Sequence, residues 1–120
     1  MLFLKHLLVA FGHSKAGLAW AFRHEWAVRM EVFALAAALL LGVVLAENLW
    51  SYVALVGSVL LVLAVELLNT AVEKLCDHVM PDRHPTIGLV KDLGSAAVLV
   101  SMGIAGLIWA VALWRYVTGG

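Results

Sequence analysis

Cysteine is nearly absent from this chain of 120 residues, with Cys76 standing alone. A single thiol excludes any intrachain disulfide, and with it the stapled scaffold of a small secreted domain. Charge is scarce as well. Only 13% of the residues are Asp, Glu, Lys or Arg, about half the share usual in soluble domains, while 64% are hydrophobic. Eight basic and eight acidic residues cancel, so the net charge points to no nucleic-acid partner. Phosphate-binding loops are missing too. There is no G-x-x-x-x-G-K-[ST] segment and no Gly-rich kinase loop, which excludes the scaffolds of soluble NTPases and protein kinases. With a mean hydropathy of +1.01, the class left standing is an integral membrane protein.

Two uncharged stretches are long: Leu49 to Val65 has 17 residues and Leu93 to Trp114 has 22. A third, the 15 residues from Val32 to Ala46, is long enough if its helix begins near Trp26 and carries Arg29 and Glu31 along. A bilayer core of ~30 Å requires about 20 helical residues. The expectation is one all-α domain over 1–120, with membrane spans at about 26–46, 49–73 and 91–115.

Basic residues orient those spans, because Lys and Arg in short loops stay on the cytoplasmic side. Lys5, Lys15, Arg23 and Arg29 precede or open the first span, and Lys74, Arg83 and Lys91 lie between the second and third. The link around Glu47 and Asn48 has none, and the end of the chain has only Arg115. This distribution predicts a multi-pass protein of the cytoplasmic (inner) membrane with a cytoplasmic N terminus. Residues 1–22 mix Leu4, Leu7, Leu8, Phe11 and Leu18 with Lys5, His6, His13 and Lys15 at roughly helical spacing, the pattern of an amphipathic helix lying on the membrane surface. In the third span Gly94, Ala97, Ser101 and Ala105 recur every three or four residues and invite close helix packing. Three helices make a thin bundle with little interior, so oligomerisation is expected, with a site shared between subunits.

A polar stripe leaves the end of the second span. At 100° per residue Glu66, Glu73 and Asp77 fall within about 20° of one line, with Asn69 about 60° to the side. Glu66 follows seventeen apolar residues, and a carboxylate at that depth costs on the order of 2 to 3 kcal/mol, which makes its default reading functional. Glu25, Arg29 and Glu31 lie at the same depth on the first span, where Glu25 and Arg29 have the spacing of an ordinary i,i+4 surface pair. Lys91 and Asp92 join them from the third. Carboxylates on different helices suit a hard cation such as Mg²⁺ that also binds substrate phosphates. A nearby lysine suits phosphate charge, and a carboxylate at the hydrocarbon edge suits proton abstraction. Phosphoryl transfer needs mainly these parts. His78 and His84 beside Asp77 and Asp82 lack the fixed ligand spacing of a zinc site. Trp20, Trp26, Trp50, Trp109 and Trp114 fall near span ends, where interfacial anchors belong, and Trp109 is also a candidate lipid contact.

The segments Glu66-Leu67-Leu68-Asn69-Thr70-Ala71-Val72-Glu73 and Lys91-Asp92-Leu93-Gly94-Ser95-Ala96-Ala97-Val98, seventeen residues apart, resemble the signature of the prokaryotic diacylglycerol kinases. The resemblance extends to Glu25-x-x-x-Arg29-x-Glu31 and the amphipathic start. It implies a homotrimeric helical bundle that uses ATP and Mg²⁺ to phosphorylate diacylglycerol at the cytoplasmic face, feeding phospholipid metabolism. On the matching positions it implies Glu66 as the general base and Glu25 and Glu73 as metal ligands that also meet ATP. Lys91 and Asp92 are implied as nucleotide contacts, and Asn69 and Asp77 as active-site support. Glu66, Ser95, Arg29 and Glu31 are implied to meet the lipid. Asp82 and His84 sit where the adenine side would be met. The surface helix departs from the family: His6 and His13 stand where an Arg and a Tyr touch nucleotide, and Ala16 replaces the basic residue before Gly17. An undecaprenol kinase of the same fold is the alternative within the class. A small proton- or ion-coupled transporter is the alternative outside it, although transporters place their key charge near the midplane and often show repeats that this chain lacks.

Overall fold

A computed structural model of the chain describes every residue except Arg83, which was counted above among the basic residues of the second loop and lies outside the described residues. Four helices follow one another: α1 (Leu2–His24), α2 (Trp26–Leu45), α3 (Leu49–Val79) and α4 (Pro85–Thr118). The last three are each long and apolar enough to cross a membrane.

Local chemistry sets each boundary. Glu25 alone separates α1 from α2, in extended conformation at φ −115° and ψ 114°, so it closes one helix and opens the next. Asn48 and Ser51 form a reciprocal capping box at the start of α3. Pro81 follows the end of α3 at Val79, and proline cannot continue a helix because it lacks an N–H. Pro85 then opens α4 behind His84, whose Nδ1 accepts from the Thr86 N–H at 3.1 Å. Gly119 ends α4 at φ +75°, in the left-handed region that glycine tolerates without strain.

Helices α3 and α4 run further than hydropathy suggests. The second span was expected to stop at 73, but α3 continues to Val79; the third was expected from 91, but α4 starts at Pro85. Hydropathy sees only the portion matched to a bilayer, whereas the polar residues beyond it are adequate helix formers and continue until a proline intervenes. At 1.5 Å per residue α3 is about 46 Å long and α4 about 51 Å, against a ~30 Å hydrocarbon core. Glu66, Asn69, Glu73 and Asp77 therefore stand on one continuous rod.

α3 is the central element, packed against α4 on one flank and α2 on the other. Ala21, Val28 and Leu63 join α1, α2 and α3 in a small core, with Val32, Leu35 and Leu67 against it. Tyr52 Oη donates to Leu39 O at 2.8 Å, and Gly42 lets the Tyr52 ring lie against α2. Across the other flank, the Trp109 indole N–H donates to Leu55 O at 3.1 Å and Ser58 Oγ at 3.2 Å. The partly covered line on α4 passes through Gly94, Val98, Ser101 and Ala105. Ala97, expected in that line, is exposed, because the α3 contact follows Val98 instead.

Little else is covered. The chain exposes 8770 Å², whereas a compact soluble protein of 12.9 kDa exposes about 6,300 Å². Ser101 is the sole buried residue of α4. Leu93, Leu99, Val100 and Leu107 are all more than half exposed, as expected of helices that face lipid or further subunits.

Candidate active site

The carboxylates singled out on separate helices converge where α1, α2 and α3 meet. Glu66 has Glu73 and Glu25 within electrostatic reach, and Glu31 has Glu66. Two come from α3, one from α2 and one from the hinge before it, so the folding of α2 back along α3 is what assembles them. Glu31 is buried, 7% exposed, and neither carboxylate oxygen has a hydrogen-bond partner. A buried group left unpaired in this way is costly, which keeps Glu31 a candidate functional position.

Glu25 does not form the expected i,i+4 pair with Arg29. Its Oε1 lies 3.6 Å from Lys74 Nζ on α3. The Arg29 guanidinium instead donates to Phe22 O at 3.1 Å and Arg23 O at 3.0 Å, satisfying carbonyls that the end of α1 leaves open. Arg29 thereby sets the corner at which α1 leaves the bundle.

Toward α4, Asn69 Nδ2 donates to Glu73 Oε1 at 3.1 Å and orients that carboxylate. The Asn69 Oδ1 is buried without a partner against Gly94 of α4, where any side-chain carbon would collide with it. Lys91 Nζ donates to Asp77 Oδ1 at 2.6 Å. Asp77 lies past the expected end of the membrane span, and the hydrogen bond from Lys91 holds its carboxyl below the usual carboxylate range. Asp77, Asp82, His84 and Lys91 line a cleft of about 520 Å³ between the ends of α3 and α4, wide enough for a nucleobase or phosphates.

Other candidate residues are not gathered by this single chain. His6 and His13 are exposed on α1 and make no hydrogen bond or ion pair among the described residues. Asp92 and Ser95 are exposed on α4. Trp109 bonds inside the bundle rather than at a span end, and Ser58, its partner on α3, lies eight residues before Glu66, about 12 Å along the helix. In the sequence Lys74 has only the mark of a cytoplasmic loop charge. No local pattern reveals its pairing with Glu25, because one residue lies in the hinge before α2 and the other on α3, far apart in sequence.

The donor set suits Mg²⁺. Among the described residues no three His, Cys, Asp or Glu side chains form a metal cage. Mg²⁺ does not need one, since it takes one or two carboxylates and completes its octahedron with water and phosphate oxygens. Glu25 and Glu73, hard oxygen donors within electrostatic reach of Glu66, could supply that pair.

Known proteins resemble this chain over most of its length. A family model described as prokaryotic diacylglycerol kinase matches residues 12–113. A diacylglycerol kinase of Haemophilus influenzae is 40% identical over 106 residues, covering 88% of this chain and 90% of the relative. One from Escherichia coli K12 is 36% identical over 110 residues, covering 92% and 90%. One from Pseudomonas aeruginosa is 40% identical over 114 residues, covering 92% and 89%.

Proposed function

This chain belongs to the prokaryotic diacylglycerol kinase family, and on that premise we propose that it transfers the γ-phosphate of ATP to the primary hydroxyl of diacylglycerol, giving phosphatidic acid. The observation that carries the reading is the placement of Glu66 at the apolar edge with Glu25, Glu73 and Glu31 around it and the Lys91 cleft alongside.

Glu66 takes the proton from the lipid hydroxyl, which reaches it laterally from the bilayer. The freed alkoxide attacks the γ-phosphorus in line, and ADP leaves. Asn69 holds Glu73 in register through its 3.1 Å hydrogen bond. Glu25 and Glu73 would hold Mg²⁺, and the ion would supply positive charge against the transferring phosphoryl group. Lys91 and Asp92 bind nucleotide, with Asp82 and His84 toward the base; Arg29, Glu31, Ser95 and Trp109 line the lipid path. His6 and His13 reach the nucleotide from the surface helix.

The protein works in the cytoplasmic membrane with its N terminus in the cytoplasm, supported by seven of eight basic residues falling on that side in the sequence. The assembly is a homotrimer, supported by the family and by the uncovered flank of α4. Incubation of the detergent-solubilised protein with labelled ATP and Mg²⁺, offering diacylglycerol and undecaprenol separately, tests the reading. Label is expected in phosphatidic acid. Label in undecaprenyl phosphate alone would reassign the substrate, and none in either would reject the kinase. Glu66→Gln is expected to abolish transfer while nucleotide binding persists.

A further inference from the structure

Lys74 ties the hinge carboxylate, the surface helix and the central helix together. Its ammonium lies 3.6 Å from Glu25 Oε1 and 5.3 Å from the centre of the Trp20 ring. Trp20 stacks on His24, with ring centroids 4.7 Å apart and planes 21° from parallel. The last turn of α1 and the hinge after it are thus held to α3 by a cation–π contact and an ion pair that share one cation. Beneath this clasp, between Leu18 and Ala21 of α1 and Leu67 and Thr70 of α3, lies an apolar hollow of about 450 Å³.

Glu25 has two claims on it. The proposed function makes it a ligand for a divalent cation, yet here it already faces a cation of the chain itself. An ammonium and a divalent ion cannot both sit against one carboxylate without strong mutual repulsion. We infer that Lys74 is an internal counter-cation that holds Glu25 until a divalent metal displaces it, and that this displacement unclasps the end of α1 from α3. Lys74 is a positioning residue here, acting on Glu25 and Trp20 rather than on substrate. By reciprocity, whatever strengthens the clasp weakens the metal, and metal loosens α1 above the hollow by the same factor. This rests on the assignment of Glu25 as a metal ligand.

The test uses the full chain in detergent without nucleotide, with Mn²⁺ as the probe and free Mn²⁺ counted by electron paramagnetic resonance. Lys74→Gln is expected to bind Mn²⁺ about two- to five-fold more tightly than the unaltered protein, the range an exposed ion pair represents, and Lys74→Arg to bind like the unaltered protein. Amide hydrogen exchange over Trp20–His24 should rise on adding Mn²⁺ to the unaltered protein. In Lys74→Gln it should already be raised and should not respond to metal. Equal or weaker Mn²⁺ binding by Lys74→Gln, or exchange at α1 indifferent to metal in the unaltered protein, would overturn the inference. Glu25→Gln separates the two levels. If it leaves Mn²⁺ binding unchanged, the ligand assignment itself fails and the inference falls with it. If it weakens binding while Lys74→Gln does not tighten it, the counter-cation role alone is rejected.

Discussion

The side chain of Asn69 fills the space that a β-carbon on Gly94 would occupy, and from that seat its amide donates to Glu73 Oε1 at 3.1 Å. The contact makes the spacing of α3 and α4 and the orientation of a candidate metal ligand one and the same variable. Glycine at 94 is a steric requirement there, because the colliding atom is the buried oxygen of a short, half-buried side chain with little freedom to retreat.

Gly94→Ala should therefore impair activity and stability together. Overpacking a helix contact costs about 1–3 kcal/mol. Displacing Asn69 should also raise the Mg²⁺ concentration needed for half-maximal rate. Thermal unfolding in detergent and a Mg²⁺ titration of initial rates check both. Removing the obstruction in Gly94→Ala/Asn69→Ala should restore the unfolding midpoint but not the Mg²⁺ dependence.

Glu31→Leu should stabilise the protein while damaging its function. Replacing a buried, unpartnered carboxylate by an apolar group of similar size removes an unsatisfied group worth about 1–3 kcal/mol and a like charge facing Glu66. The midpoint of unfolding should rise, and kcat/KM for the lipid alcohol should fall at least about tenfold. A lowered midpoint would mean that Glu31 gains a partner in the assembled protein.

Trp109→Phe removes the indole N–H that reaches Leu55 O and Ser58 Oγ but keeps most of the ring area. Interhelical hydrogen bonds of this kind contribute about 1 kcal/mol in membrane proteins. Unfolding by denaturing detergent should register that loss. A double-mutant cycle with Ser58→Ala should show coupling, which an isolated interfacial anchor would not.

Arg29→Gln should leave the spans intact and free the surface helix, because the guanidinium satisfies two carbonyls at the end of α1. Hydrogen exchange should increase over the last turn of α1 and stay unchanged in the middle of α3. Arg29→Lys, which has no planar fork, should recover the protection only in part.

Much of this protein is written in its sequence one residue at a time. The three apolar stretches, the polar stripe of Glu66, Asn69, Glu73 and Asp77, and the paired signature segments depend on helical periodicity and on the cost of charge in hydrocarbon, both local properties. The boundaries of α3 and α4 were less legible, because hydropathy stops at the membrane edge while the backbone hydrogen bonds of a helix continue to the next proline. Pairings between helices were not legible at all. Glu25 has Arg29 at helical spacing, yet the extended backbone at the hinge sends Arg29 to the carbonyls of α1 and leaves Glu25 to Lys74. Trp109 has the position of an interfacial anchor, yet the crossing of α4 over α3 brings its N–H to Ser58. Composition and periodicity decide which residues a membrane helix must keep off the lipid; which of them meet is decided by the angle and register at which the helices pack, to which every contact along the bundle contributes.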